Sequence, residues 1–201
     1  MSNEQETPQK PAKRRQVRKI SAQSLNNIAL HYLQRYASSA ENLRRVLMRR
    51  VIRAAKHHDS DPADGERLVD ALIQRFRSNG LLDDQRYAEG RAVSLRRRGT
   101  SQRLIAQGLR QKGIGDDDIA AALAQINADR DDDEDIEFVT ACRLAQRRRL
   151  GPFRATEKRP QYQQRDLATL ARAGFAYDIA RRVITHENCD ELTDLIAKAG
   201  L

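Results

Sequence analysis

The sequence is poor in the residues that build thick cores and disulfide frameworks. Its 201 residues include no Trp, 4% aromatic residues and two cysteines, Cys142 and Cys189. Cysteines this far apart make neither a disulfide framework nor a Cys/His metal site, so we expect free thiols. No apolar run is long enough to cross a membrane, and the first residues lack the apolar core of a signal peptide. We therefore expect a cytoplasmic protein with a slender hydrophobic core.

The signatures of several large enzyme classes are also missing. The sequence has no GxxxxGK[ST], GxGxxG, HExxH or GxSxG, which mark phosphate loops, dinucleotide sites, zinc proteases and hydrolases. One metal-like cluster, His57, His58, Asp59 and Asp61, lies in a short polar stretch without further Cys or His to complete a ligand set. The sequence therefore predicts no enzyme activity, no cofactor and no metal site.

A loose repeat is the most informative pattern that is present. In "GLRQKGIGDDDIAAAL" and "TLARAGFAYDIARRVI", a Leu lies four residues before a Gly, and an Asp-Ile pair follows. These are Leu109 with Gly113, and Leu170 with Gly174. A Gly after helix-forming residues ends a helix, and an acidic residue suits the start of the next one. Leu47 lies at a similar interval upstream, so the pattern predicts three helical units.

Capping signals divide these units into helices. Ser38 with Glu41 has the spacing of a capping box, and Asp61 before Pro62 and the pair Asp83-Asp84 favour helix starts. No stretch alternates at period two. We predict an all-α array of tandem three-helix repeats, bounded as follows: a disordered basic tail (1–20), repeats at 21–80, 81–128 and 129–187, and a C-terminal extension (188–201).

Positive charge dominates the composition. The formal net charge is +9, and the pI is near 10.0, which favours a polyanionic partner. One face of the second helix carries a basic stripe, and triple-Arg clusters recur at the ends of the first helices of repeats two and three. A basic track that binds phosphates or a filament is predicted at Arg45, Arg49, Arg53, Arg96, Arg97, Arg98, Arg103, Arg110, Arg147, Arg148 and Arg149. Arg154, Lys158 and Arg159 extend it through a loop.

Three segments resemble the RecX family of bacterial RecA regulators, from about Ala29 to Ile184. They are "ALHYLQRYASSAENLRRVL", "NGLLDDQRYAEGRAVSLRRRGTSQRLIAQGLRQKGI" and "LARAGFAYDIARRVI". The middle segment is the most specific, because "GLLDD", a Tyr three residues later, a basic helix end and "KGI" occur in one order.

The resemblance implies an elongated, curved helical array without enzymatic activity. It implies binding along the groove of the RecA nucleoprotein filament and inhibition of RecA's ATP hydrolysis, strand exchange and co-protease action, in DNA repair, homologous recombination and the SOS response. We also expect weak, salt-sensitive binding to single- and double-stranded DNA and none to membranes. The alternative is a general basic nucleic-acid-binding architectural protein, which the same charge would support.

Overall fold

The described part of the chain is all-α. A computed structural model describes residues 19–58, 60–128 and 136–199, and within these ranges it has ten α-helices and no strand. The helices are α1 (Ala22–Leu33), α2 (Ala40–His58), α3 (Pro62–Ser78), α4 (Asp84–Arg96), α5 (Gln102–Gln111), α6 (Asp116–Ala128), α7 (Ile136–Arg148), α8 (Arg159–Arg172), α9 (Tyr177–Ile184) and α10 (Cys189–Lys198). Short 3-10 turns at Gly151–Phe153 and Thr156–Lys158 connect α7 to α8. The predicted fold class, a helical repeat array, is confirmed.

The helices pack in three groups, each around its own apolar core. Helices α1 to α3 form the first group, α4 to α6 the second and α7 to α10 the third. The repeated leucines Leu47, Leu109 and Leu170 are fully buried, one in each core. The last helix, α10, falls in the predicted C-terminal extension and adds Leu192 and Ile196 to the third core. Within each group, the helices are therefore held together by the burial of their apolar faces in one core.

Side-chain caps explain where several helices begin. The Asp61 carboxylate accepts a hydrogen bond from the Ala63 amide at 2.8 Å, and Asp83 caps α4 in the same manner. The predicted cap at Ser38 was wrong by one residue. Helix α2 begins at Ala40, and the Ser39 hydroxyl accepts the Asn42 amide at 3.2 Å. Ser38 precedes the helix and binds the Asn42 side chain instead.

The polar segments of the sequence are in part helical and in part outside the described residues. The short polar stretch that holds the metal-like cluster is partly helical, because α2 continues through His57 and His58 before Asp61 caps the next helix. The predicted basic tail lies almost entirely outside the described residues, as do Asp59 of the metal-like cluster and residues 129–135, the acidic start of the predicted third repeat. In the described ranges, no helix is long and apolar enough to span a bilayer.

The same two contacts join each group to the next. A carboxylate from the first helix of one group caps the middle helix of the preceding group: Asp84 accepts the Ala40 amide at 2.8 Å, and Glu137 accepts the Gln102 amide at 3.2 Å. The turn after each later middle helix also lies against the start of the preceding middle helix, Gly113 beside Glu41 and Gly174 beside Ser101. The C-terminus of α5 therefore meets the N-terminus of α2 at a first junction. The C-terminus of α8 meets the N-terminus of α5 at an equivalent second junction.

Candidate anion-binding site

Ten of the eleven predicted basic-track arginines have exposed side chains. Arg45, Arg49 and Arg53 lie along α2, while Arg103 and Arg110 lie on α5. The remaining exposed residues are at the ends of α4 and α7: Arg97, Arg98, Arg147, Arg148 and Arg149. Cationic ends of this kind are favoured by the helix dipole, but only within the last turn.

Arg96 is the exception, and its prediction as a surface residue does not fit its position. The residue is 5% exposed, and its Nη1 donates to the Ile126 carbonyl and to the Asn127 side-chain oxygen. It lies on the face of α4 that also buries Ala88 and Ala92, which precede it by eight and four residues. Arg96 therefore links α4 to the end of α6 by hydrogen bonds and is not part of the candidate binding surface.

Several other arginines form ion pairs with carboxylates. Arg45 pairs with Glu41 and Arg110 with Asp116, both at 2.8 Å. Arg154 pairs with the buried carboxylate of Asp166 at 2.8 Å, and the hydrogen bond raises the pKa of Arg154 above its usual value. These residues remain charged, but their guanidinium groups already have anionic partners.

Arg159, from the same predicted extension of the track, also has a structural role. Its guanidinium donates to the backbone carbonyls of Arg154 and Pro152, at 3.0 and 2.7 Å. It therefore stabilises the loop between α7 and α8. Of that extension, Lys158 is exposed, and its side chain has no hydrogen bond or ion pair among residues 19–58, 60–128 and 136–199.

A cationic pocket lies at the second junction, between the second and third helix groups. Three predicted residues, Arg98, Arg147 and Arg148, line it together with Arg172, and its volume is about 590 Å³. No carboxylate is among its described lining residues. Leu104 and Leu144 contribute apolar surface, and Thr100 and Thr169 contribute hydroxyl groups. The structure thus brings together the ends of α4, α7 and α8 around one basic concavity.

Local hydrogen bonds orient two of these guanidinium groups. Arg147 Nη1 donates to the Arg98 carbonyl at 2.7 Å, which links the end of α7 to the end of α4. Arg172 donates to the Ala168 carbonyl at 3.1 Å and to the Thr169 hydroxyl at 3.3 Å. These bonds use part of the donor capacity of each side chain, because a guanidinium has five N–H groups. The remaining donors are available to an anion in the pocket.

The pocket exists because the backbone turns sharply at the ends of α4 and α8. Gly99 has a φ of +76°, and the place of a Cβ there would be 2.8 Å from the Leu144 Cβ. A glycine is therefore required for α4 to approach α7 this closely. The approach places Arg98 beside Arg147.

Arg172 was not predicted as a site residue. Its position two residues before Gly174 was the available signal, because the turn at Gly174 repeats the turn at Gly113. Recognising it needed the contact between α8 and α5, which spacing along the chain does not give. No group of three or more His, Cys, Asp or Glu residues suited to a metal occurs in the part of the chain that the structure describes.

Comparison with known proteins identifies the family to which this chain belongs. The family model for the second three-helix domain of RecX matches residues 83–123. The regulatory protein RecX of Myxococcus xanthus is 44% identical over 169 residues, which cover 83% of this chain and 87% of that protein. The chain belongs to the RecX family.

Other relatives agree with this assignment. The regulatory protein RecX of Agrobacterium fabrum is 30% identical over 175 residues, covering 87% of this chain and 89% of the relative. A crystal structure of a regulatory protein RecX superposes with a TM-score of 0.55 at 23% identity, covering 82% of this chain and 72% of the other. The structural similarity supports the fold, and the named relatives support a regulatory role; none of these names is that of an enzyme.

Proposed function

We propose that the chain binds the RecA nucleoprotein filament and inhibits RecA's ATP hydrolysis, strand exchange and co-protease activity by limiting or destabilising the filament. The relatives are regulatory proteins of the RecX family. The convergence of Arg98, Arg147, Arg148 and Arg172 at the second junction carries the proposal. Such a surface suits a filament that carries DNA phosphates and acidic protein surface. The site of action is then the bacterial cytoplasm, where this filament forms.

The repeat architecture supports action at low stoichiometry. The pocket belongs to the second junction, whereas Arg49 and Arg53 belong to α2 of the first group. A filament presents equivalent surfaces at regular intervals, so one chain with several cationic surfaces can contact more than one of them. Linked contacts raise the apparent affinity well above that of each contact alone. A few bound chains would then affect many RecA subunits.

The direct test is the rate of ATP hydrolysis by RecA filaments preassembled on single-stranded DNA, with this protein added well below one copy per RecA. We expect a dose-dependent fall in the rate. Unchanged hydrolysis at saturating dose, with binding to naked DNA retained, would contradict the proposal and support the general architectural DNA-binding protein. A salt titration on naked DNA and on filaments separates the two, because phosphate-only binding weakens steeply with salt.

A charge-reversed variant locates the surface. Arg97→Glu with Arg98→Glu should raise the dose needed for half-inhibition by about tenfold, since two favourable charges become repulsive. The matched control is Arg67→Glu with Arg86→Glu, which changes the net charge equally at exposed positions of α3 and α4 outside the pocket. Equal effects of the two variants would show that net charge matters and the junction does not.

A further inference from the structure

The two junctions of the array differ in how their positive charge is balanced. At the first junction Arg45 pairs with Glu41 at 2.8 Å, and Arg77 pairs with Asp84 at 2.7 Å. At the second junction the Glu137 carboxylate accepts the Gln102 amide at 3.2 Å and is not among the residues that line the pocket, whereas four guanidinium groups line it with no carboxylate among the described lining residues. Like charges so close repel one another unless an anion lies between them. The second junction therefore has the composition of a site for an anion from outside the chain.

The number of guanidinium groups indicates which anion it is. One guanidinium fork satisfies both oxygens of a carboxylate, so a single acidic side chain would use one of the four arginines. A nucleic-acid strand instead carries one phosphate at every nucleotide, so neighbouring phosphates of one strand can each engage guanidinium groups that line the pocket, whose volume is about 590 Å³. Four guanidinium groups match such a pair of phosphates better than one carboxylate.

The rest of the lining indicates which part of the strand is bound. Thr100 adds a hydroxyl group to the lining, and hydroxyl groups commonly accompany Arg in phosphate contacts, whereas the Thr169 hydroxyl already donates to the Arg165 carbonyl at 2.8 Å. No aromatic ring lines the pocket within the described chain, so it offers no platform on which a base could stack. The contacts are thus with the sugar-phosphate backbone and are independent of base sequence.

We propose that the pocket formed by Arg98, Arg147, Arg148 and Arg172 binds two successive phosphates of a single DNA strand. The inference rests on the proposed function, because the strand in question is the DNA of the RecA filament. The pocket would fix the position of the second and third helix groups on the DNA. The stripe on α2 is then left to contact other parts of the filament.

The test compares two probes of equal charge at low salt, a fluorescent oligothymidylate and a fluorescent oligoglutamate peptide, by fluorescence anisotropy. Arg148→Gln with Arg172→Gln removes two pocket guanidinium groups from exposed positions. We expect the Kd for oligothymidylate to rise about tenfold or more, since the variant loses charge-assisted hydrogen bonds to phosphate. The slope of log K against log salt should become shallower by about 0.7 for each phosphate that the variant no longer neutralises.

The control variant, Arg67→Gln with Arg86→Gln, has the same net charge and should bind oligothymidylate within about twofold of the unchanged protein. Equal loss in the two variants would overturn the inference. So would a loss for oligoglutamate equal to or greater than that for oligothymidylate, which would make the pocket an unselective or carboxylate site. Circular dichroism confirms that both variants are folded.

The outcome is separable from the proposed function. If the unchanged protein inhibits RecA but the pocket variant keeps its affinity for oligothymidylate, the phosphate site is wrong and the regulator stands. If the pocket variant loses that affinity but the unchanged protein leaves RecA's ATP hydrolysis untouched, the phosphate site stands and the regulatory proposal fails.

Discussion

The Ser39 hydroxyl donates a hydrogen bond to the Lys112 carbonyl, 2.5 Å away, across the first junction. The same oxygen accepts the Asn42 amide at 3.2 Å and so caps α2. One fully buried side chain therefore both starts a helix and holds the end of the next group's middle helix against it. Ser101 has the equivalent place in the second group: it caps α5 and lies against Gly174.

We predict that Ser39→Ala lowers the free energy of unfolding by about 2 kcal/mol. About 1 kcal/mol comes from the lost cap, and the rest comes from a carbonyl left without its donor. Urea denaturation with an unchanged m-value measures the shift. Ser78→Ala is the control, because the exposed Ser78 hydroxyl bonds, within the described part of the chain, only to the Arg75 carbonyl at the end of α3. Equal small shifts in both variants would contradict a role of Ser39 at the junction.

A second prediction concerns the glycine that faces Ser101. Gly174 has a φ of +90°, and a Cβ added there would meet the Ser101 side chain and lie 2.8 Å from the Leu104 Cγ. Gly80 has a similar φ of +68° but open space around it. Gly80→Ala should therefore cost only the strain of the left-handed backbone, about 1–2 kcal/mol. Gly174→Ala should cost a further 1–3 kcal/mol, approximately, from overpacking.

Thermal or urea unfolding of the two alanine variants tests this difference directly. A larger loss for Gly174→Ala means that the second junction is closely packed in solution. Equal losses would mean that the third group moves away from the second without cost, which would also disperse the arginines of the pocket.

The sequence predicted the fold well because local signals and burial agree along most of the chain. The spacing of Leu47, Leu109 and Leu170 placed three core positions correctly, and Asp61 and Asp83 cap the helices that they were predicted to start. Both kinds of signal act within a few residues, so they can be read without knowledge of the tertiary contacts.

The site was harder to predict, because its geometry depends on how the groups meet. Successive helical residues point about 100° apart, so a run of three arginines cannot place all of its side chains on one face. Arg96 faces inward, in line with Ala88 and Ala92, and that four-residue spacing was readable in advance. The contribution of Arg172 was not, because it arises from the contact of α8 with α5.

Arg149 is the subject of the third prediction. It has a φ of +53°, a left-handed conformation that is unfavourable for a residue with a Cβ. At the end of α4, the equivalent place is taken by Gly99, and both residues precede an amide that bonds back to the helix: Leu150 to Ala145 and Thr100 to Leu95. We expect Arg149→Gly to raise the free energy of unfolding by about 0.5–1 kcal/mol.

The neighbouring residue provides the control. Arg148 is the last residue of α7, so Arg148→Gly should destabilise the protein by up to about 1 kcal/mol. Chemical denaturation of both variants tests the opposite signs. Destabilisation by Arg149→Gly would show that its side chain makes contacts that outweigh the backbone strain.

Asp166 carries the last prediction, because it puts a carboxylate where the other groups have apolar residues. It lies four residues before Leu170, as Leu43 and Ile105 lie before Leu47 and Leu109. The residue is 1% exposed and accepts the Gly151 amide at 2.9 Å and two donors of Arg154, at 2.8 and 3.1 Å. A buried charge is tolerated only with such partners. Here it fastens the loop between α7 and α8 to the third core.

Asp166→Asn should therefore lower the free energy of unfolding by about 2–3 kcal/mol, since an amide supplies neither the charge nor the second acceptor oxygen. Asp64→Asn is the matched control: its ion pair with Arg67 has both side chains more than 70% exposed, so we expect a change below about 0.5 kcal/mol. Urea denaturation at low and high salt measures both. The Asp166 effect should persist at high salt, because a buried pair is poorly screened. If salt abolishes it, the Asp166 and Arg154 pair is open to solvent and does not hold the loop.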